Sequence, residues 1–174
     1  MYVRFIAPDI RRLDELQTEA MTIPFFADER PPQGTLGLVD WRLGGWVSRL
    51  LLDGRLTGER GETVLIPSRP KLSCEKLFLF GLGGRADFGP EVFEDTMRRV
   101  LQTLTRARVR ASTCVLPGRH LQMLEPEAAI ELLLHVARDY PEQDEVTLVE
   151  TPEAQKAMSP VLQRDRRRTR AIEI

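Results

Sequence analysis

The apolar run Leu77-Phe78-Leu79-Phe80, closed by Gly81-Leu82-Gly83-Gly84, constrains the fold of this chain more than any other stretch. A strand-length run without polar alternation must be covered on both faces, which places it inside a parallel or mixed sheet flanked by helices. Glycines at the carboxyl end of such a strand are where α/β folds cradle phosphates with backbone amides, and equally where a chain turns sharply. Two readings of Gly81, Gly83, Gly84 and Arg85 therefore stand: a ligand turn with Arg85 as its cation, or a tight turn alone.

The remainder of the chain supplies the expected flanking layers. Residues 2–7, 20–26, 62–67, 75–80, 109–116 and 145–149 read as strands from their β-branched and apolar content, and Pro24 pushes the second of them toward an edge or a bulge. Leu36, Val39, Leu43, Trp46, Val47, Leu50 and Leu51 recur at helical spacing and predict one amphipathic helix over 35–52. The Gly44-Gly45 pair inside it costs about 1 kcal/mol per glycine relative to alanine and suggests a backbone passing close by. That closeness fits packing on the sheet, a ligand cleft or a subunit contact. Residues 9–19 form a short helix or a charged loop. Pro90 and Pro126 suit the first positions of two further helices, and a last helical segment starts at Pro152. The alternation predicts a three-layer α/β/α domain over 1–150 with a mixed, largely parallel sheet, followed by a helical segment over 151–174.

Composition excludes several function classes. With 25 Lys+Arg against 26 Asp+Glu the net charge is −1, so no global field draws the protein to nucleic acid or an anionic membrane. Local attraction is confined to Arg164, Arg166, Arg167, Arg168 and Arg170, a run that holds Asp165 and no aromatic residue for base stacking; it reads as a solvated helix end or as a contact with a polyanion or partner. Cys74 and Cys114 form no Cys-x-x-Cys pair and read as apolar fillers in or beside strands; with two histidines they do not compose a structural zinc site. Neither Ser48 nor Ser112 sits in a nucleophile elbow, and no carboxylate pattern surrounds His120 or His135. The turn after Phe80 lacks the dinucleotide spacing and the Gly-Lys-Ser/Thr of a triphosphate loop, and Asp87, Glu91, Glu94 and Asp95 crowd the following helix start. No catalytic residue, metal ligand or cofactor is assigned. Without a basic-then-apolar leader or a run near the roughly 20 residues of a membrane span, a soluble cytoplasmic protein is the expectation.

Three blocks taken in order carry a resemblance: Leu43-Gly44-Gly45-Trp46-Val47-Ser48-Arg49-Leu50-Leu51, Leu56-Thr57-Gly58-Glu59-Arg60-Gly61-Glu62-Thr63-Val64-Leu65, and Glu75-Lys76-Leu77-Phe78-Leu79-Phe80-Gly81-Leu82-Gly83. Together they resemble the amino-terminal domain of the cytosol (leucyl) aminopeptidase family, where an L-G-G-x-x-S-x-L-L helix leads through F-x-G-K-x-G-E-x-x-x-L to a strand ending G-L-G. The resemblance implies a macro-domain-like α/β/α fold. It also implies that peptidase chemistry belongs to a separate carboxyl-terminal domain with two metal ions, whose N-T-D-A-E-G-R type of motif is not found here. The chain is expected to end about where the helix linking to that domain begins. The roles implied for a stand-alone copy are assembly or protein interaction, DNA binding as in some bacterial members, and ADP-ribose-type recognition as in similar modules. A non-catalytic interaction module, with a protein partner or self-association, is the first expectation.

Overall fold

The computed structural model describes residues 1–172, with the side chains of 169–172 left aside. Six strands form one sheet in the order β1-β6-β5-β2-β4-β3, where β1 is Tyr2–Ile6, β2 Ala20–Phe25, β3 Thr63–Ile66, β4 Lys76–Gly81, β5 Ala111–Cys114 and β6 Glu145–Val149. Every ladder is parallel except β3 against β4, so the sheet is mixed and largely parallel as expected. The apolar run of β4 is explained by its two faces. Leu77 and Leu79 join the core under α1 (Ile10–Glu15), α2 (Gly34–Arg42) and α3 (Trp46–Leu52), while Phe78 and Phe80 join the opposite core. That second core is closed by α4 (Pro90–Arg106), α5 (Pro126–Ala137) and α6 (Pro152–Ile172). Met158, Val161 and Leu162 of α6 lie in it, so the last helix packs onto the same layer as α4 and α5. Pro90 and Pro126 occupy the first turns of α4 and α5, where a missing amide donor costs nothing.

Two expectations are corrected. The helix predicted over 35–52 is two helices, because Gly44 and Gly45 adopt φ of 71° and 74°, left-handed values that end α2 and re-aim the chain into α3. No backbone crowds them: a Cβ on Gly45 would meet nothing within 4 Å, and one on Gly44 would meet only Lys71 Nζ at 3.3 Å. Asp40, left over in the last turn of α2, caps the new helix by accepting hydrogen bonds from the Ser48 amide at 3.2 Å and the Ser48 hydroxyl at 2.5 Å.

The second correction concerns Pro24, which lies within a central strand, opposite Phe80 in the β2–β4 register. The Thr22 carbonyl accepts from the Val115 amide, which fixes the side of β2 that faces β5. Alternation points the nitrogen of Pro24 to that same side, but the β2–β5 ladder ends at Thr22 and Cys114. The missing donor therefore falls where no strand needs it. Proline here marks the point at which β5 leaves the sheet.

Candidate functional site

In an open α/β sheet the usual ligand crevice lies beyond the carboxyl ends of the strands, where neighbouring connections depart in opposite directions. In this order that switch falls between β2 and β5, since β5 continues to β6 on one side and β2 pairs with β4 on the other. Three loops converge there: residues 26–33 after β2, 82–89 after β4 and 115–125 after β5. The sequence-selected glycines belong to the middle one.

The turn after β4 already holds an anion, and the anion is a side chain of the protein. The Asp28 carboxylate accepts from the Arg85 amide at 3.2 Å and forms an ion pair with the Arg85 guanidinium, Nε lying 3.3 Å from Oδ2. Burial opposes the ionised form of Asp28, but these Arg85 contacts outweigh it and hold its carboxyl below the usual range. The neighbouring amides are also engaged: Leu82 donates to the Phe25 carbonyl at 3.0 Å, Gly83 to Gly58 at 2.8 Å, and Gly81 to Glu62 at 2.9 Å. Gly81 is dictated by packing, because a Cβ there would stand 2.0 Å from the Glu59 carbonyl oxygen. Gly84 is half-buried and Arg85 is exposed.

The crevice itself is bridged by residues that the local sequence did not single out together. Glu29, from the loop after β2, meets His120, from the loop after β5, with Oε2 and Nε2 2.8 Å apart; Glu29 Oε1 accepts the Gln33 amide at 2.9 Å. Burial pushes the Glu29 carboxyl up, yet the His120 hydrogen bond, its charge and the Gln33 amide bring it to a net value below the ordinary glutamate range. Gly34 admits this ring, since its Cβ would lie 2.9 Å from His120 Cβ. Phe26 packs edge-on to Phe88 at 5.3 Å between centroids, and Phe88 presses on Gly118. The gap left among Ile23, Pro24, Glu29, Leu36, Val115 and His120 leaves no room for a water molecule. Beside it, Arg119 and Glu150 form a buried ion pair at 3.0 Å, with Arg119 also bound to the Leu124 carbonyl. Burial dominates at Glu150 and leaves its carboxyl raised in spite of Arg119.

Signals for these pairs were absent because Glu29 and His120 lie 91 residues apart in the chain. His135 lies exposed on α5. Cys74 and Cys114 are buried, and burial raises both thiols. Of the arginine run, Arg164 pairs with Glu131 at 3.7 Å, and Arg166 lies over the Tyr2 ring at 4.8 Å, near the Val3 carbonyl. Arg167 and Arg168 are exposed, while the side chain of Arg170 lies outside the described residues. Asp165 within the run pairs with Arg138 at 3.8 Å. Among the described residues no group of three or more His, Cys, Asp or Glu is placed to hold a metal ion, so the residues present do not fit a two-metal centre.

A family model described as the cytosol aminopeptidase family, N-terminal domain, matches residues 22–139. The chain belongs to the cytosol aminopeptidase family. A curated relative, a probable cytosol aminopeptidase of Thermosynechococcus vestitus, is 30% identical over 128 residues, which cover 67% of this chain and 26% of that protein. The chain thus spans about a quarter of the length of that relative. Among solved structures, a tomato leucine aminopeptidase mutant superposes with a TM-score of 0.63 at 14% identity, covering 91% of this chain and 35% of the other. The Trypanosoma brucei macrodomain in complex with ADP-ribose reaches 0.73 at 13% identity, covering 92% and 69%. Both structural likenesses concern the fold, which is that of a macrodomain. No helix among the described residues is long and apolar enough to cross a membrane.

Proposed function

We propose that this chain is a non-catalytic interaction and assembly module of the cytosol aminopeptidase family, acting through protein contacts on its surface. The observation that carries the reading is the state of the switch-point crevice. A similar fold holds ADP-ribose in the trypanosomal protein, whereas here the crevice is bridged by the Glu29–His120 contact and Asp28 serves as the anion of the β4 turn. A phosphate reaching that turn has to displace a carboxylate from Arg85. The surface, by contrast, presents apolar side chains: Trp41 on α2 is 70% exposed and Leu52 at the end of α3 is 84% exposed. Contact with a second copy or a partner removes such groups from water.

Light scattering coupled to size separation, run over a range of protein concentrations, tests the reading. The expected result is a mass above the monomer that grows with concentration and falls back on Trp41→Asp. A mass that stays monomeric at every concentration counts against self-assembly. Thermal melting with ADP-ribose is expected to show no shift; stabilisation by ADP-ribose that Arg85→Glu abolishes would replace this reading with ligand recognition at the turn. Polyanion binding through α6 is a weaker basis for function, because Arg164 and Arg166 are engaged within the domain and Asp165 interrupts the run.

A further inference from the structure

At the opposite end of the sheet, away from the closed crevice, lies an open cleft of about 960 Å³. That volume is within the usual range for a small-molecule site, roughly 300–1,000 Å³. Its floor is the part of the sheet face that α2 and α3 do not cover. One register row crosses it: Arg4 on β1, Thr147 on β6 and Thr113 on β5. Farther along that row the sheet turns apolar, at Met21 on β2 and Leu77 on β4, and there the helices cover it. Polar floor and apolar remainder thus divide one face between a cleft and a core.

The hydrogen-bonding capacity of the floor is incompletely used. Thr113 is fully buried, lines the cleft, and its Oγ1 has no hydrogen-bond partner among the described residues. A buried hydroxyl left without a partner is costly, roughly 1–3 kcal/mol by general precedent, and is a feature that calls for an explanation. Thr147 stands beside it in the register and keeps 9% of its surface exposed.

The rim carries both signs of charge. Arg4 pairs with Glu145 at 3.2 Å and Arg69 with Glu75 at 3.7 Å, while Glu19 accepts the Ala111 amide at 3.3 Å. Arg12 and Glu15, three residues apart on α1, are exposed and make no ion pair among the described residues. A simple anion entering here meets four glutamates against three arginines, and a simple cation meets the three guanidinium groups. An apolar ligand has to desolvate the Arg4–Glu145 pair and the Thr147 hydroxyl without compensation, and leaves the Thr113 hydroxyl unpaired. A molecule bearing both an ammonium and a carboxylate satisfies both signs at once, and an amide between them supplies a donor and an acceptor for the threonines.

We propose that this cleft binds a short zwitterionic backbone, an ammonium and a carboxylate joined through an amide, as in a dipeptide. The carboxylate goes to Arg12, the ammonium to Glu15 and Glu19, and the amide to Thr113 and Thr147. The occupant is recognised by its termini and its peptide group, so the site discriminates chain ends ahead of side chains.

The test is a nitrogen-15 NMR titration of the full chain with alanyl-alanine, alanine, N-acetyl-alanyl-alanine amide and inorganic phosphate. Alanyl-alanine is expected to shift the Thr113 and Thr147 amides saturably, and more tightly than alanine, which lacks the amide. The blocked peptide and phosphate are expected to leave these amides unmoved. Arg12→Glu, at an exposed position with no partner to lose, should keep the native spectrum and weaken alanyl-alanine by about tenfold or more; Thr147→Val should weaken it in the same assay. Absence of saturable shifts with alanyl-alanine overturns the proposal. So does equal binding by alanine, by the blocked peptide or by phosphate, or undiminished binding in Arg12→Glu.

Discussion

Gly81→Ala is the sharpest probe of how the β4 turn is held. A methyl at Gly81 would sit 2.0 Å from the Glu59 carbonyl oxygen, 2.7 Å from Gly58 C and 2.8 Å from the Gly58 oxygen. An unstrained carbon–oxygen approach is about 3.3 Å or longer, so the 58–59 backbone has to retreat by more than about 1 Å. That backbone is not free to do so. The Glu62 carboxylate accepts from the Thr57 amide at 3.0 Å and the Gly58 amide at 2.6 Å, and Gly83 donates to the Gly58 carbonyl at 2.8 Å. Overpacking costs about 1–3 kcal/mol. One or two hydrogen bonds lost from the loop add about 1 kcal/mol each. The expected loss is about 3 kcal/mol, equivalent to roughly 10 °C in melting temperature at this chain length. Urea unfolding followed by circular dichroism measures it, with an unchanged slope expected. Gly89→Ala is the control, because a Cβ there meets nothing within 4 Å; its cost should not exceed about 1 kcal/mol, that of a poorer N-cap. Equal losses for the two variants, or a Gly81→Ala loss below about 1 kcal/mol, would refute the argument that packing dictates this glycine.

Three further predictions concern charges and the helix break. Arg119→Met or Glu150→Leu alone strands a buried charge and should cost about 3–5 kcal/mol, whereas the double variant should come close to wild type; a double variant as unstable as the singles contradicts this. Glu29 has a folded pKa below its ordinary value near 4.5, so its ionised form contributes stability above that value and loses it as pH falls through the lower folded pKa. The stability gap between wild type and Glu29→Gln, measured by denaturant titration, should therefore be largest at neutral pH and shrink in acid; a gap that widens in acid reverses the sign and the reasoning. Gly45→Ala should cost about 1–2 kcal/mol in thermal or chemical unfolding although no neighbour lies within 4 Å, because the left-handed backbone alone resists a side chain; a stabilised variant would show that the chain relaxes into a continuous helix.

Much of the architecture was legible because its signals are local. The double-faced apolar run of β4, the prolines opening α4 and α5, and the spacing of Val92, Phe93, Met97, Val100, Leu101 and Leu104 follow from strand and helix periodicity, and the structure buries those six residues in α4. The break at Gly44-Gly45 was misread as close packing within one helix, since a glycine pair reports permissiveness and not the use made of it. Pro24 reads as a sign of an edge or a bulge because the sequence does not show that β5 leaves the sheet just where the missing donor points.

The sequence by itself determined the layers, the family and the position of the glycine turn, all encoded in residues close together along the chain. Only the tertiary structure decided what the crevice contains. Asp28 meets Arg85, Glu29 meets His120 and Arg119 meets Glu150 through the convergence of loops far apart in the chain. The glycines of the β4 turn resemble a waiting phosphate site in one dimension; in three, a carboxylate from the β2 loop already receives the amide and guanidinium of Arg85. Electrostatic pairing at a few ångströms is set by loop convergence, which no local periodicity records.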